Sequence, residues 1–261
     1  MPTNSPATPP ATHLEVLFTP AEFAALAQRD LRDTVCVVFD VLRATSSMLT
    51  ALGNGAAGVI PVGEISEALA LRRQRPEVLL AGERDGLRIR RELTGSIDFD
   101  LGNSPREFTR AAVAGRTIVM TTTTGTRALR ACTGARAVLI ASFLNLPALT
   151  RWISAERPQS LLLVCSGTHE EASYEDTLGA GALCDRIWPQ YSSGRIADSA
   201  AIARQIFQAA APNLRAAMAH ARNGRRLLAL PDLRDDVPLC LAIGAHDLIA
   251  QLGKDGVVRR G

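Results

Sequence analysis

The chain has 261 residues, of which 47% are hydrophobic and 21% are charged, and its formal net charge is +3. This apolar content supports a sizeable core in one large domain or two fused lobes, and it excludes general disorder. Basic residues are scattered instead of massed in runs, and aromatic residues make up only 4%. No nucleic-acid surface is therefore expected, and anionic small molecules are the favoured partners.

The amino-terminal segment, residues 1–13, is rich in Pro, Thr and Ala. It lacks the basic and apolar regions of a secretory signal, so we interpret it as a disordered tail before a single domain at residues 14–261. No apolar run approaches the roughly 20 residues needed to cross a bilayer, and no membrane partner is expected. The cysteines are odd in number, widely spaced and free of any CxxC pair, which is typical of reduced thiols in a cytoplasmic protein. They are Cys36, Cys132, Cys165, Cys184 and Cys240.

Short aliphatic runs alternate along the chain with amphipathic stretches rich in Ala, Leu and Arg. The runs predicted to be buried strands are residues 35–39, 58–62, 78–81, 117–120, 137–140 and 161–165. This alternation indicates a three-layer α/β/α fold with a largely parallel or mixed sheet covered on both faces. In such folds, sites form beyond the carboxyl ends of the strands, so the residues that follow each strand are the first candidates for function.

Several helix boundaries are marked in the sequence. Residues 19–22 and 104–107 each have a hydroxyl residue, then Pro, then Glu at the third helical position, which predicts two capped helix starts. Residues 199–221 have a helical composition with a break at Pro212. Beyond them, Asn223-Gly224 predicts a turn, and residues 237–243 predict another short apolar element.

Three predicted strands open into small and hydroxylated residues, followed by a helical pattern. These segments are residues 37–47, 119–127 and 163–168. Backbone N–H groups at a helix start, helped by hydroxyls, bind phosphate well, so convergence of the three loops would form a phosphate site. Asn103 joins the candidates because capping explains Ser104 but not its neighbour. The candidates for binding phosphate or substrate are Thr45, Asn103, Thr122, Thr123, Gly125, Thr126, Ser166 and Gly167.

Charged residues near the predicted strand ends suit phosphoryl chemistry. The Asp40 carboxylate can hold a hard cation, and the Arg43 guanidinium matches two phosphate oxygens, although a helix-start carboxylate and a surface ion pair are the structural alternatives. Glu83 could be functional or could lie in a solvated turn. For Asp176, spacing alone favours a structural cap, because residues 173–176 resemble a capping pattern.

Other phosphatase classes are not encoded. The phosphoaspartate pattern DxD fails at Leu42, and the cysteine-phosphatase pattern CX5R fails at Glu171. A covalent intermediate on Asp40 or Cys165 has no positive support. The histidines form no zinc pair, and there is no GxxxxGK[ST] loop. Hard-metal chemistry built from carboxylates, an arginine and loop amides remains.

Seven short segments and one acidic pair carry a further signal. They are residues 39–45, 61–64, 81–84, 99–105, 121–127, 142–145 and 165–168, with Glu175-Asp176. Together they resemble the 2-phosphosulfolactate phosphatases, a family that acts in coenzyme M biosynthesis and is widespread in bacteria. The chain departs from the family's usual residues at Thr124 and Asp85, and residues 90–97 look like extra sequence.

The resemblance implies a hydrolase that uses Mg²⁺ to convert 2-phospho-3-sulfolactate to 3-sulfolactate and phosphate. Asp40, Glu83 and Asp176 would hold the metal, and Arg43 with the loop amides would stabilise the transition state. A phosphatase for another small phosphorylated acid, or a sensor that binds without turnover, are the alternatives. The Ala-rich later helices favour a homo-oligomer, with a dimer expected.

Overall fold

Eleven strands lie in one sheet within residues 12–261, which the computed structural model describes. They are β1 (His13–Leu17), β2 (Thr34–Phe39), β3 (Gly58–Pro61), β4 (Leu79–Arg84), β5 (Leu87–Arg88), β6 (Thr117–Thr121), β7 (Ala137–Ala141), β8 (Ser160–Cys165), β9 (Arg195–Ile196), β10 (Ala250–Leu252) and β11 (Val258–Arg260). All six predicted strands are present. Most of the predicted tail falls outside the described residues, but its last residue, His13, begins β1.

Helices cover both faces of the sheet. They are α1 (Pro20–Ala24), α2 (Ala44–Gly53), α3 (Ile65–Gln74), α4 (Arg91–Thr94), α5 (Arg110–Val113), α6 (Gly125–Ala131), α7 (Leu146–Glu156), α8 (Tyr174–Tyr191), α9 (Asp198–Ala210), α10 (Leu214–Ala217), α11 (Arg222–Ala229) and α12 (Asp236–Cys240). Among the described residues, no helix has the length and apolar character needed to span a membrane.

The predicted helix boundaries are confirmed in two places and wrong in two others. Thr19 forms a complete capping box with Glu22 at the start of α1, and a 3-10 turn at Ala211–Asn213 separates α9 from α10. Ser104 does not cap a helix, because its hydroxyl donates to a carboxylate instead, and only a short 3-10 helix follows it. Asn223-Gly224 is not a turn but lies inside α11.

The sheet consists of two parallel blocks joined by a hairpin. Its strand order is β5-β4-β6-β3-β11-β10-β7-β2-β8-β1-β9. The strands β7, β2, β8, β1 and β9 are parallel to one another, and β3, β6 and β4 form a second parallel block. Between the blocks, the pairs β7–β10, β10–β11 and β11–β3 are all antiparallel. The two blocks therefore run in opposite directions.

One buried core lies beneath both blocks. It contains Val38 of β2 and Met120 of β6, together with Met48 of α2 and Leu129 of α6. Helix α2 contacts β7 and β3, and α6 contacts β2 and β3. The sheet therefore curves around these two helices, which brings the loops after β2 and β8 to the loops after β4 and β6.

Helices α7, α8 and α9 cover the outer face of the first block, and α3 covers that of the second. The predicted three-layer α/β/α architecture with a mixed sheet is confirmed.

Candidate active site

A polar cleft forms where the loops of the two blocks meet. A hydrogen bond from Thr124 Oγ1 to the Gly167 carbonyl, 2.9 Å long, joins the loop after β6 to the loop after β8. Asp40, which follows β2, lines the same cleft, so all three hydroxyl-rich loops meet there, a convergence that the sequence alone could not show. The predicted site residues that line the cleft are Asp40, Arg43, Glu83, Asn103, Thr123, Ser166, Gly167 and Asp176.

Asp40 lies directly after β2, at the base of the cleft. Its Oδ1 accepts a 2.9 Å hydrogen bond from the backbone N–H of Ala44, in the first turn of α2. Thr45 fixes the same turn by donating a 2.8 Å hydrogen bond to the Asp40 carbonyl. A Cβ atom at Gly125 would clash with Asp40 Oδ2. Gly125 thus permits the close approach of the two loops instead of contacting a ligand.

Asp176 connects the loop after β2 to the loop after β8. Its Oδ1 accepts a 2.8 Å hydrogen bond from the N–H of Val41, and its Oδ2 accepts one from Ser166 Oγ at 3.0 Å and one from the N–H of Gly167 at 3.3 Å. The capping pattern suggested by spacing is not formed, because the Ser173 side chain makes no capping hydrogen bond. The carboxylate faces the cleft instead.

Burial changes the acidity of this cluster. It raises the pKa of Asp40 from 3.8 to about 6, and the nearby charge of Glu83 adds to the effect, while the hydrogen bond from Ala44 opposes it. Burial, followed by the charges of Asp40 and Glu175, holds the pKa of Asp176 well above its usual value. Burial likewise raises the pKa of Glu175. These buried carboxylates are stabilised by a proton or by a bound cation.

We expect the metal-free protein to lose stability as the pH rises through this range. Between 3.8 and about 6, folded Asp40 keeps a proton that the unfolded chain has lost. The folded state then binds more protons, so raising the pH lowers the free energy of unfolding, by about 3 kcal/mol for about two pKa units. Urea unfolding in the presence of a chelator should show this slope in the wild type and a flatter one in Asp40→Asn. Identical slopes would contradict the raised pKa.

Glu83 ties the end of β4 to two loops. Its Oε1 accepts hydrogen bonds from the N–H and the hydroxyl of Thr123, both at 2.9 Å, and its Oε2 accepts one from the N–H of Gly86 at 2.7 Å. Asp85 and Gly86 form the two-residue turn between β4 and β5, with φ values of +53° and +74°. Asp enters this left-handed region more readily than most residues, so Asp85 is suited to this turn.

Arg43 forms a buried ion pair, so the structural alternative of a surface ion pair is wrong. It is 3% exposed. Its Nη1 donates to Asp236 Oδ2 at 2.8 Å, and its Nη2 donates to the Gly86 carbonyl at 2.6 Å. Asp236, which is fully buried, also accepts hydrogen bonds from Ser104 Oγ at 2.6 Å and Arg106 Nε at 2.8 Å. Contact of Arg43 with phosphate remains a prediction. The ion pair with Asp236 fixes the position of the guanidinium from which such a contact would be made.

The remaining predicted binding residues lie behind the cleft lining and stabilise its loops. Thr126 Oγ1 donates to the Thr122 carbonyl at 3.3 Å, and the Thr126 N–H donates to Thr122 Oγ1 at 3.4 Å. Thr45 and Gly125 act as described above. The structure therefore does not bring Thr45, Thr122, Gly125 or Thr126 to the cleft surface.

Sequence reasoning missed several cleft residues. Glu175 is 1% exposed, and its Oε1 accepts a 2.6 Å hydrogen bond from Asn223 Nδ2. Its Oε2 is buried without a hydrogen-bond partner, as is Asn103 Oδ1. Arg226 of α11 also lines the cleft. The amphipathic pattern of residues 222–229 is the signal for this helix, and the Asn223-Gly224 pair, which is typical of a turn, obscures it.

Oxygen atoms dominate the groups that could hold a metal. The carboxylates of Asp40, Glu83 and Asp176 line one cleft with the unpartnered oxygens of Glu175 and Asn103. Within the described part of the chain, no group of three or more His, Cys, Asp or Glu side chains is already assembled into a metal site.

A cysteine nucleophile is not available at this cleft. Cys165 is fully buried in the core cluster that α8 and α9 cover. Burial holds the pKa of its thiol well above the usual value, so it remains an unreactive thiol. All five cysteines are free and buried.

The fold and the cleft together define an α/β protein with a buried, carboxylate-rich cleft. The model of the family described as 2-phosphosulpholactate phosphatase matches residues 21–255. The chain therefore belongs to the 2-phosphosulfolactate phosphatase family, a family of phosphoric monoester hydrolases. This match includes the last third of the chain, beyond the segments that carried the resemblance.

Three relatives are similar over most of their length. A protein of Caldanaerobacter subterraneus subsp. tengcongensis is 36% identical over 239 residues, which cover 91% of this chain and 95% of that protein. One of Thermotoga petrophila is 39% identical over 204 residues, covering 78% and 82%. One of Symbiobacterium thermophilum is 36% identical over 231 residues, covering 88% and 95%. Each is named "Probable 2-phosphosulfolactate phosphatase".

Proposed function

We propose that the protein is a Mg²⁺-dependent phosphatase that hydrolyses 2-phospho-3-sulfolactate to 3-sulfolactate and inorganic phosphate. The observation that carries this proposal is the cleft in which four buried carboxylates, those of Asp40, Glu83, Glu175 and Asp176, lie with Arg43. The names of the three relatives supply the substrate.

The donor atoms of the cleft fit a hard divalent cation. Mg²⁺ prefers oxygen ligands and usually keeps one or two carboxylates together with water and substrate phosphate. Asp40 and Asp176 would hold it, with help from Glu83, and the unpartnered oxygen of Asn103 is a further acceptor on the same cleft. When bound, Mg²⁺ would neutralise phosphoryl oxygens and favour attack by water.

The chain's own groups would bind and orient the phosphoryl group. Arg43 retains guanidinium N–H donors beyond those given to Asp236 and Gly86, and these can bind phosphoryl oxygens as negative charge develops. Helices α2 and α8 both begin at the cleft, so the positive ends of their dipoles face an anion there. Glu175 Oε2, buried and unpartnered, can accept a proton from the attacking water.

Removal of divalent metal should abolish turnover. Exhaustive chelation is expected to lower phosphate release from 2-phosphosulfolactate to background, and added Mg²⁺ should restore it, because the buried carboxylates would otherwise repel the substrate's phosphate. Phosphate release is measured directly, with the Asp40→Asn protein as a matched control that Mg²⁺ should restore poorly. Full turnover in the chelated protein would contradict the metal requirement.

The same assay tests the substrate. Release from 2-phosphosulfolactate should exceed release from 2-phosphoglycerate, which lacks the sulfonate. Equal rates would indicate a broader phosphatase of small phosphorylated acids. Binding of these compounds without phosphate release from any of them would indicate a sensor.

The setting of the reaction belongs to the same proposal. We propose a cytoplasmic homodimer, supported by the free cysteines, which suit a reducing compartment, and by the Ala-rich helices α9 and α10. Sedimentation equilibrium would show the dimer directly. A monomer at micromolar concentration would contradict it.

A further inference from the structure

Helix α11 bridges the two walls of the cleft. On one wall, Asn223 Nδ2 donates hydrogen bonds to Thr168 Oγ1 at 2.8 Å and to Glu175 Oε1 at 2.6 Å. On the other wall, the Arg226 guanidinium donates to the backbone carbonyl of Asp85 in the turn between β4 and β5. The helix therefore holds Arg226 at a fixed place beside the cleft.

The charge of Arg226 is not neutralised by a carboxylate. Arg43, the other arginine of the cleft, forms a buried ion pair with Asp236. No ion pair within residues 12–261 includes Arg226, whose hydrogen bond goes to an uncharged carbonyl. Its guanidinium carbon lies 3.7 Å from where a Cβ atom at Gly86 would be. The guanidinium thus lies against the turn between β4 and β5.

The position of Arg226 differs from that of the groups proposed to act on phosphate. Asp176 and Arg43 are 2% and 3% exposed, so they form the deep part of the cleft. The Arg226 side chain is exposed and lies at the mouth. When a phosphoryl group occupies the deep part, the rest of a small substrate extends towards the mouth.

We propose that Arg226 binds the anionic group of the substrate that is not transferred, a sulfonate or a carboxylate, and thereby selects phosphorylated acids over plain phosphomonoesters. This inference rests on the proposed function and names the residue that recognises its substrate class. A guanidinium binds two oxygens of such a group in a fork. Without that cation, a second anion would face the negative charges of Asp40, Glu83, Glu175 and Asp176.

Calorimetric binding of the non-phosphorylated acids tests this role without requiring turnover. The probes are 3-sulfolactate, lactate, isethionate and inorganic phosphate, each titrated with Mg²⁺ present. Arg226→Gln should weaken 3-sulfolactate binding by about 10–100-fold, the loss typical of one charge-assisted hydrogen-bond pair, and should weaken phosphate binding much less. A selective loss for isethionate assigns the sulfonate to Arg226, whereas a selective loss for lactate assigns the carboxylate.

Two further variants control the measurement. Arg225→Gln removes a neighbouring charge of α11 whose Nη1 donates to the His220 carbonyl at 2.7 Å, outside the cleft lining, and it should bind 3-sulfolactate as the wild type does. Arg226→Lys keeps the charge but loses the fork, and it should bind with an intermediate affinity. Melting temperatures confirm that each variant is folded.

The outcomes separate this inference from the proposed function. In kinetics, the ratio of kcat/KM for 2-phosphosulfolactate to kcat/KM for glycerol 2-phosphate should fall at least tenfold in Arg226→Gln. If the wild type binds 3-sulfolactate through Arg226 but releases no phosphate, the phosphatase proposal fails and the role of Arg226 stands. Unchanged 3-sulfolactate binding in Arg226→Gln, equal losses for 3-sulfolactate and phosphate, or no binding of any of the three acids by the wild type would overturn it.

Discussion

Replacing Asp176 by asparagine is expected to lower kcat/KM by about 10²–10³-fold, the loss typical of removing one preorganised charged group from a catalytic site. The substitution preserves side-chain shape, and the asparagine oxygen can still accept the hydrogen bond from the N–H of Val41. It removes a negative charge that faces the cleft, and it replaces Oδ2, the acceptor for Ser166 Oγ and the Gly167 N–H, by an amide NH₂ group. If that charge holds Mg²⁺, raising the metal concentration should recover part of the activity.

The stability of the metal-free variant separates this role from a structural one. Burial and neighbouring carboxylates hold the pKa of Asp176 well above its usual value, so its ionised form is a cost at neutral pH. Relief of that cost offsets the hydrogen bond lost at Gly167, so Asp176→Asn should have a melting temperature close to that of the wild type when metal is absent. A lost helix cap would instead lower stability by about 0.5–2 kcal/mol.

A matched control lies further along the same helix. Asp185 of α8 accepts a 2.9 Å hydrogen bond from Arg204 Nε outside the cleft, so Asp185→Asn should leave the Mg²⁺ response of turnover unchanged. A wild-type Mg²⁺ response in Asp176→Asn, together with lowered metal-free stability, would show that Asp176 serves the fold and not the reaction.

Six of the eleven strands were predictable because each of their buried runs is long and apolar enough to be recognised in the sequence. The segments at 35–39 and 161–165 became β2 and β8, both almost fully buried. The hydroxyl-rich residues that follow both strands indicated the position of the cleft, because sites in α/β folds form at strand ends. Local composition therefore sufficed for these strands and for Asp40, which directly follows β2.

The relative direction of the two blocks could not be predicted. It depends on the hairpin of β10 and β11, strands of three residues each. Runs of this length carry too little periodicity to identify a strand, and strand pairing is set by contacts distant in sequence. Because the hairpin cannot be recognised in the sequence, the curvature of the sheet and the contact between Thr124 and Gly167 could not be predicted.

The ion-pair partner of Arg43 also could not be predicted, because the two residues are far apart in the sequence. Arg43 and Asp236 are separated by 193 positions, and nothing near either residue indicates the other. The functional interpretation of Arg43 followed from its place after a strand, but its burial and ion pair required the folded chain. The same holds for Arg226, which reaches the cleft only because α11 packs across it.

Replacing Asp236 by alanine is expected to lower the free energy of unfolding by about 3–5 kcal/mol, because removing one partner of a buried ion pair leaves the other charge uncompensated. Asp236 is fully buried and accepts from Arg43, Ser104 and Arg106. Urea unfolding measures the change. Asp235→Ala is the control, since that carboxylate is 67% exposed and 3.9 Å from Arg106, and it should change stability by no more than about 0.5 kcal/mol.

A double-mutant cycle then tests whether Asp236 also positions Arg43 for the reaction. Asp236→Asn retains an oxygen for the Arg43 guanidinium and is the variant suited to kinetics. If Asp236 acts through Arg43, then Asp236→Asn and Arg43→Gln should each lower kcat, and the double variant should lose far less than the product of the two effects. A residue that served stability alone would leave kcat unchanged in the folded Asp236→Asn protein, and that result would confine Asp236 to the fold. Multiplicative losses would mean that Asp236 acts on the reaction independently of Arg43. A shared loss would make this buried carboxylate the group that positions Arg43 against the phosphoryl oxygens.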